Sequence, residues 1–294
     1  MANLFSRIKT KYKTGNSFIK LLYINLAVFI IYSIIHVPQV ISSTGEITSI
    51  DYFFKTYLCF PSGTSDFFYR PWTLLTYMFV HKDPFHILWN MIWLYFGSKL
   101  FLQYFTNKQL ITTYILGGIS GAIFFKLIFN TFPEYPAFNP ELPLIGGSAG
   151  IFAIIIAIAT YMPNYSIQLP FIGSIRLKYI AWFAILVFYI NIEKENPGGN
   201  IAHLGGALFG YFYIKRSQKG KSYFSGFIKW INNLLKPKTK LKTVHKRSKS
   251  DKQFNKEKIE KQKAINLVLD KISKSGYESL SKEEKDILFQ ESKK

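Results

Sequence analysis

Apolar residues occur in this chain as long runs separated by short polar segments. A helix that crosses the hydrocarbon core of a bilayer needs roughly 20 mostly apolar residues. Six runs have this character or come close to it, with Asp and Glu only at their boundaries: residues 18–37, 84–105, 109–130, 145–162, 178–193 and 199–215. The pattern predicts an all-α membrane protein whose main body, residues 18–215, is a bundle of six transmembrane helices.

The segment between the first two runs, residues 38–83, is too polar and too often interrupted by proline and glycine to form a span. Its many aromatic side chains are typical of a loop that lies partly in the membrane interface. The basic segment 1–17 resembles the start of a signal peptide, but no small-residue cleavage site follows Ile31 and further spans come after it. We therefore expect a cytosolic basic N-terminal tail and a retained first span.

The distribution of basic residues indicates the orientation, because short cytoplasmic loops are enriched in Lys and Arg. Basic residues border the spans on one side of the bundle at Lys99, Lys108, Arg176, Lys178, Lys215 and Arg216. The loop from Thr131 to Leu144, on the other side, contains two Glu residues and no Lys or Arg. We therefore expect both termini in the cytoplasm, with the protein in the inner membrane of a bacterial cell.

Charge separates the membrane body from the rest of the chain. The sequence carries a net charge of +20 although 49% of its residues are hydrophobic, and much of the excess charge follows Lys215. Residues 216–261 are predicted to combine an amphipathic surface helix (222–236) with a disordered, Lys-rich linker, and residues 262–294 to form two short helices. Binding to anionic lipids of the inner leaflet is favoured over binding to nucleic acid, because this basic segment adjoins a span.

Polar side chains inside membrane spans are costly and therefore indicate function. His86 and Asn90 lie four residues apart near the start of span two, Ser148 near the start of span four and His203 near the start of span six. These three spans run from outside to inside, so the four residues share a depth near the outer surface. The sequence thus predicts one polar site built from three helices.

The residue types at this site suit peptide hydrolysis. A serine hydroxyl becomes an effective nucleophile when an adjacent base such as histidine takes its proton, which points to Ser148 and His203. The expected donors to the oxyanion are the His86 and Asn90 side chains and the backbone around Gly147. The spans offer no carboxylate as a third member, so a Ser–His dyad is expected. The glycines of the GxxxG pattern in span six would let it approach span four closely.

Four motifs, in this order, resemble those of the rhomboid intramembrane serine proteases. They are Arg70-Pro71-Trp72, His81 followed by His86-xxx-Asn90, Gly146-x-Ser148, and Ala202-His203-x-Gly205-Gly206-xxx-Gly210. The resemblance covers residues 18–215 and implies a rhomboid-like six-helix bundle with a water-filled cavity open to the outside. It implies Ser148 as nucleophile, His203 as base, and His86 and Asn90 as groups that assist the oxyanion. The implied substrates are transmembrane proteins, which enter between spans two and five.

The sequence departs from the family pattern at two positions. The family usually has glycine directly after the serine, where this chain has Ala149, and often a tyrosine four residues after it, where this chain has Phe152. A literal Gly-x-Ser-Gly occurs around Ser120, in span three. That serine lies deeper than the histidines, in a helix of opposite direction, so we interpret it as a packing residue.

Two other functions compete with proteolysis. A non-catalytic rhomboid-like protein would bind and retain membrane clients; Ala149 favours it, and the intact Ser148 and His203 oppose it. A transporter would show paired charges or inverted repeats in the spans, and the sequence shows neither. We expect no metal or organic cofactor, and the single cysteine, Cys59, excludes an intramolecular disulfide. The oligomeric state is left open.

Overall fold

The computed structural model describes residues 4–42, 48–132, 143–169, 173–193, 196–218 and 251–292. The chain forms two compact units, residues 1–235 and residues 236–294. The helices of the first unit are α1 (Leu4–Thr14), α2 (Ser17–Ser42), α3 (Ser49–Phe53), α4 (Thr64–Tyr69), α5 (Thr73–Thr76), α6 (Pro84–Phe101), α7 (Asn107–Thr131), α8 (Ser148–Tyr161), α9 (Leu177–Ile190) and α10 (Pro197–Ser217). A hairpin of β1 (Ser166–Leu169) and β2 (Gly173–Arg176) joins α8 to α9.

Helix α8 forms the centre of the first unit. It packs against α6, α7, α9 and α10, and nearly every residue from Ser148 to Ala159 is buried. A helix that is apolar on all sides is stable only when other helices enclose it. The remaining helices therefore surround the element that begins at Ser148.

The six predicted spans all form helices, but these differ in length. Among the residues that the structure describes, two helices are long and apolar enough to cross a membrane, α2 and α7, and α8 is a shorter apolar helix. At 1.5 Å per residue, the 14 residues of α8 or α9 extend about 21 Å, which is less than the roughly 30 Å of a hydrocarbon core. Helix length and composition therefore do not confirm the predicted bundle of six spans.

Local capping explains where the site-bearing helices begin. The Asp83 carboxylate accepts a hydrogen bond from the backbone N–H of His86 at 2.7 Å, and proline occupies the first turn of α6. At α10, the Asn196 side chain accepts from Gly199 N–H at 2.9 Å, again with proline in the first turn. An acceptor side chain at the N-cap satisfies a free helix N–H, and proline there loses no hydrogen bond. These caps fix the starting points from which His86 and His203 are positioned.

Hydrogen bonds organise the segment between α2 and α6 and join it to the rest of the first unit. The Arg70 guanidinium donates to the Thr56 carbonyl and the Trp72 indole to the Tyr57 carbonyl, both at 2.8 Å. Backbone hydrogen bonds also join Phe60 and Leu144 in both directions, at 2.9 and 3.0 Å. Arg70 and Trp72 thus organise the backbone of their own segment.

The second unit contains α11 (Asp251–Ser275) and α12 (Lys282–Ser292). The two helices are in contact, and the Lys271 ammonium binds the Glu284 carboxylate at 2.8 Å. The prediction of a disordered linker reaching Lys261 is wrong from Asp251 onward, because those residues belong to one continuous helix. Its sequence places Lys and Glu four residues apart, a spacing that stabilises helices. The predicted surface helix 222–236 lies outside the described residues.

Candidate active site

The side chains of Ser148 and His203 are in direct contact. Ser148 Oγ lies 2.6 Å from His203 Nε2, within hydrogen-bonding distance. Ser148 is the first residue of α8 and His203 the seventh of α10. Two helices far apart in sequence thus bring a hydroxyl and an imidazole together.

Two glycines of α10 make this contact possible. A Cβ atom on Gly206 would lie 2.1 Å from the Ala149 carbonyl oxygen, and one on Gly210 would lie 2.2 Å from that of Ala153. No larger residue fits at such distances without moving the backbone. The close approach of span six to span four that we predicted from the GxxxG pattern is therefore confirmed.

Aromatic rings hold the His203 imidazole from the side. The ring centroids of Phe188 on α9 and Phe152 on α8 lie 4.6 and 5.2 Å from that of His203. The Phe152 ring is tilted by 49° to the imidazole, so the contact is not a parallel stack. Within the described ranges, His203 Nδ1 has no hydrogen-bond partner, so no carboxylate orients the ring there. The Phe152 and Phe188 rings therefore orient the His203 imidazole.

The segment that leads into α8 lies against His86 and Asn90. Gly146 has φ = +98°, a conformation that favours glycine. A Cβ atom there would lie 2.8 Å from His86 Nε2 and 3.8 Å from Asn90 Nδ2. The structure therefore brings both predicted assisting residues beside the backbone that leads into Ser148.

His81 contributes to the site in a way that sequence reasoning missed. Its Nε2 lies 2.9 Å from Asn90 Nδ2, and its buried ring packs 4.9 Å from that of His86. An amide nitrogen carries two hydrogens, so Asn90 can bind His81 and retain a second hydrogen. The signal available in the sequence was the short spacing of the two histidines and the asparagine.

Gly147 fixes the start of α8. A Cβ atom at this residue would lie 2.2 Å from the Tyr114 hydroxyl and 2.7 Å from the Met78 carbonyl oxygen. Gly147 also provides no side-chain cap for α8. The first backbone N–H groups of a helix have no partner within the helix and carry a partial positive charge. Within the described part of the chain, the first turn of α8 therefore presents free N–H donors beside the Ser148 hydroxyl.

Ser120 and Ala149 have structural explanations. Ser120 Oγ on α7 donates to the Gly205 carbonyl at 3.0 Å, as a helix-packing serine would. The Ala149 side chain is buried, and a Cβ atom on Gly121 would lie only 2.6 Å from the Ala149 Cβ. The missing side chain of Gly121 thus leaves room for the methyl group of Ala149. In the part of the chain that the structure describes, no three His, Cys, Asp or Glu residues group as metal ligands.

Known proteins are similar in sequence to about half of this chain. The chain is 27% identical over 161 residues to RHOMBOID-like protein 12, mitochondrial, of Arabidopsis thaliana, covering 52% of this chain and 48% of that protein. It is 28% identical over 174 residues to Inactive rhomboid-related protein 2 of Caenorhabditis elegans, covering 56% and 46%. It is 26% identical over 144 residues to Presenilin-associated rhomboid-like protein A, mitochondrial, of Danio rerio, covering 46% of this chain and 35% of that protein. The chain thus spans less than half the length of each.

Family models match both units of the chain. Residues 249–294 match a family of unknown function, DUF6576, which covers α11 and α12. Residues 69–216 match the Rhomboid domain, a region that includes α6 to α10 and both partners of the Ser148–His203 contact. This match extends over half of the 294 residues, and it shows that the chain belongs to the rhomboid family.

Proposed function

We propose that this chain is an intramembrane serine endopeptidase that cleaves transmembrane proteins with a Ser148–His203 dyad. The observation that carries the proposal is the 2.6 Å contact between Ser148 Oγ and His203 Nε2. A hydroxyl within hydrogen-bonding distance of an imidazole, next to free helix N–H groups, is the minimal equipment for acyl transfer.

The surface of the first unit supports an integral membrane protein, as family membership does. Large apolar side chains are exposed on α2, α6, α9 and α10, including Ile34, Phe85, Trp182 and Phe212. Soluble monomers rarely expose apolar surface so widely. We propose that the six helices of the body span the membrane with both termini in the cytoplasm. The short α8 fits this arrangement, because irregular backbone at membrane depth is tolerated where protein encloses it.

The proposed reaction proceeds through an acyl enzyme. Ser148 Oγ attacks the carbonyl carbon of the scissile peptide while its proton passes to His203 Nε2. The tetrahedral intermediate then collapses, the C–N bond breaks, and His203 returns the proton to the leaving amine. A water molecule, deprotonated by His203 Nε2, then attacks the ester carbonyl. The C–O bond to Ser148 breaks, the second product leaves as a carboxylic acid, and Nε2 returns the proton to Ser148 Oγ. For the first step, His203 must have its proton on Nδ1.

The oxyanion would form beside the segment that leads into α8. The Ser148 N–H, the free Asn90 hydrogen and His86 Nε2 are the donors that we propose for it. Charge on the oxygen increases as the intermediate forms, so fixed donors bind this state better than the substrate. Removing one such donor typically costs about a hundredfold to a thousandfold in kcat.

The substrate would enter between α6 and α9. Phe152 lies next to the dyad and contacts Trp93 of α6 at 6.3 Å and Phe188 of α9 at 4.4 Å between ring centroids. An extended peptide segment, rather than an intact helix, is required, because a helix shields its carbonyl carbons from attack. We propose that transmembrane segments with locally unwound ends are the substrates.

A non-catalytic client-binding protein is the second candidate. The name of the Caenorhabditis elegans relative includes the word inactive, and Ala149 replaces the usual family glycine. A fluorophosphonate probe separates the two candidates. We expect it to label the wild type and Ser120→Ala, but not Ser148→Ala or His203→Ala. Wild-type protein that is folded yet never labelled would favour the non-catalytic function.

Cleavage of a model transmembrane substrate in vesicles tests the protease proposal directly. We expect product from the wild type and from Ser120→Ala, and none from Ser148→Ala or His203→Ala. Activity that persists in Ser148→Ala would overturn the assignment of the nucleophile. Two of the relatives are mitochondrial by name, so they do not support the prediction that this protein lies in a bacterial inner membrane. Determining the membrane in which the native protein is found would test that prediction.

A further inference from the structure

A cavity separate from the Ser148–His203 contact lies between α8, α9 and α10. Its volume is about 600 Å³, within the range of roughly 300–1,000 Å³ for small-molecule sites. Its lining is almost wholly apolar and includes Ile156, Trp182 and Leu204. Leu204 adjoins His203 in sequence, yet His203 is in contact with Ser148 and Phe188 and is not part of the lining.

Two lysines line the same cavity. Lys178 is the second residue of α9, and Lys215 lies in the last turn of α10. Each ammonium group lies over a tyrosine ring, Lys178 over Tyr179 at 5.2 Å and Lys215 over Tyr211 at 5.8 Å. Within the described residues, neither forms a salt bridge with Asp or Glu. Both are thus available to bind an anion.

We propose that this cavity binds an anionic phospholipid, with an acyl chain along α10 and the phosphate between Lys178 and Lys215. From Leu204 to Lys215 the helix extends about 16 Å. The cavity is therefore apolar along most of this distance and has two lysines at one end. Leu208 and Trp182, on its rim, are 45% and 69% exposed, which gives a lipid lateral access. The inference rests on the proposed membrane setting, and not on proteolysis.

The charge of the lysines decides between possible occupants. The chain's own segment after α10 also reaches this end of the helix, but it is rich in Lys and would repel Lys178 and Lys215. A zwitterionic lipid would gain little from two ammonium groups. An anionic lipid satisfies both the apolar length and the charge.

The test measures lipid retention by the full-length protein. Protein reconstituted in vesicles of phosphatidylcholine and phosphatidylglycerol is extracted into detergent, and bound lipids are counted by native mass spectrometry. We expect the wild type to retain phosphatidylglycerol, and Lys178→Gln/Lys215→Gln to retain it about tenfold less. Lys99→Gln/Lys108→Gln is the matched control, because it removes the same charge outside the cavity. Lys99 also lies over a tyrosine, at 5.8 Å.

Two further variants complete the test. Ala181→Trp places an indole in the cavity and should reduce retention as strongly as the double lysine change. Ser148→Ala should retain lipid like the wild type even if the proteolytic proposal fails, so the two proposals fail separately. Equal retention in the wild type and the double lysine variant, equal retention of the two lipids, or displacement of the lipid by inorganic phosphate alone would each overturn the proposal.

Discussion

Helix α10 carries His203 and helix α9 contacts it through Phe188, but the two helices pack against the rest of the first unit in different ways. At Gly206 and Gly210 the backbone of α10 packs directly against the backbone of α8. A Cβ atom at either glycine would lie within 2.2 Å of a carbonyl oxygen of α8. α9 has only Leu177 and Phe188 buried, and most of its large side chains are exposed. Closely packed elements open rarely, whereas elements with few buried contacts open locally at low cost. The nucleophile and base are thus on the rigid side, and the side proposed for substrate entry is the loosely held one.

The largest effect is expected from breaking the α8–α10 contact. Gly206→Leu would place a side chain against the Ala149 carbonyl oxygen and force the helices apart. We expect complete loss of fluorophosphonate labelling and destabilisation by about 3 kcal/mol or more. Thermal unfolding in detergent and labelling rate measure the two effects. Phe212→Trp adds bulk to an exposed position of the same helix and should change neither; normal labelling of Gly206→Leu would contradict the close-packing argument.

A smaller effect is expected from Phe188, through which α9 supports the base. Phe188→Ala removes the ring that lies 4.6 Å from the His203 imidazole. We expect the labelling rate to fall about tenfold, because the imidazole loses its orientation, and the unfolding temperature to fall as well, because Phe188 is buried. Leu186→Ala, at a 53% exposed position of α9, is the control. If both variants lost labelling equally, α9 would act as a whole and not through this ring.

Packing beside Ala149 gives a third, more moderate prediction. Gly121→Ala brings two methyl groups within 2.6 Å and should destabilise the protein by about 1–3 kcal/mol. Ala149→Gly alone should leave labelling near the wild-type level. In the double variant, Ala149→Gly should restore part of the stability that Gly121→Ala removes. The recovery should be incomplete, because the new Cβ atom still lies 2.7 Å from the Ala202 carbonyl oxygen. Strictly additive changes in unfolding free energy would show that the two positions are not coupled.

The smallest effect concerns residues 48–83, a segment that polar contacts hold in place. The Asp51 carboxylate binds Tyr32 at 2.7 Å, His36 at 3.0 Å and Lys82 at 3.3 Å. Burial acts to raise the pKa of Asp51, but the contacts with Tyr32, Thr48 and Lys82 outweigh it and lower the pKa.

A depressed pKa stabilises the fold above the ordinary Asp value of about 3.9, and this stabilisation is lost as pH falls below it. We expect Asp51→Asn to cost about 1 kcal/mol or less at neutral pH and to remove this contribution to acid sensitivity. Unfolding measured between about pH 3 and pH 7 tests this. An unchanged slope of stability against pH below pH 4 would contradict the role of Asp51.

Periodicity and polar residues in apolar runs predicted the helical body and the residues that meet at the site. Ser148 and His203 were identifiable because hydroxyl and imidazole groups are too costly in apolar helices to occur without a reason. The contact of His81 with Asn90 was missed, because it depends on how the loop before α6 folds back. The helix from Asp251 was missed because its stability comes from paired charges and contact with α12, where the composition alone indicated disorder.

The short length of α9 has a consequence for the surrounding lipid. This exposed helix extends about 21 Å, whereas the 25 residues of α7 extend about 37 Å. In the proposed membrane setting, the hydrophobic height of the protein therefore differs around its perimeter, and lipids bordering α9 must shorten or tilt to match it. Bilayer thickness would then act on the proposed entry side more strongly than on the opposite side, so cleavage should vary with the acyl chain length of the host membrane.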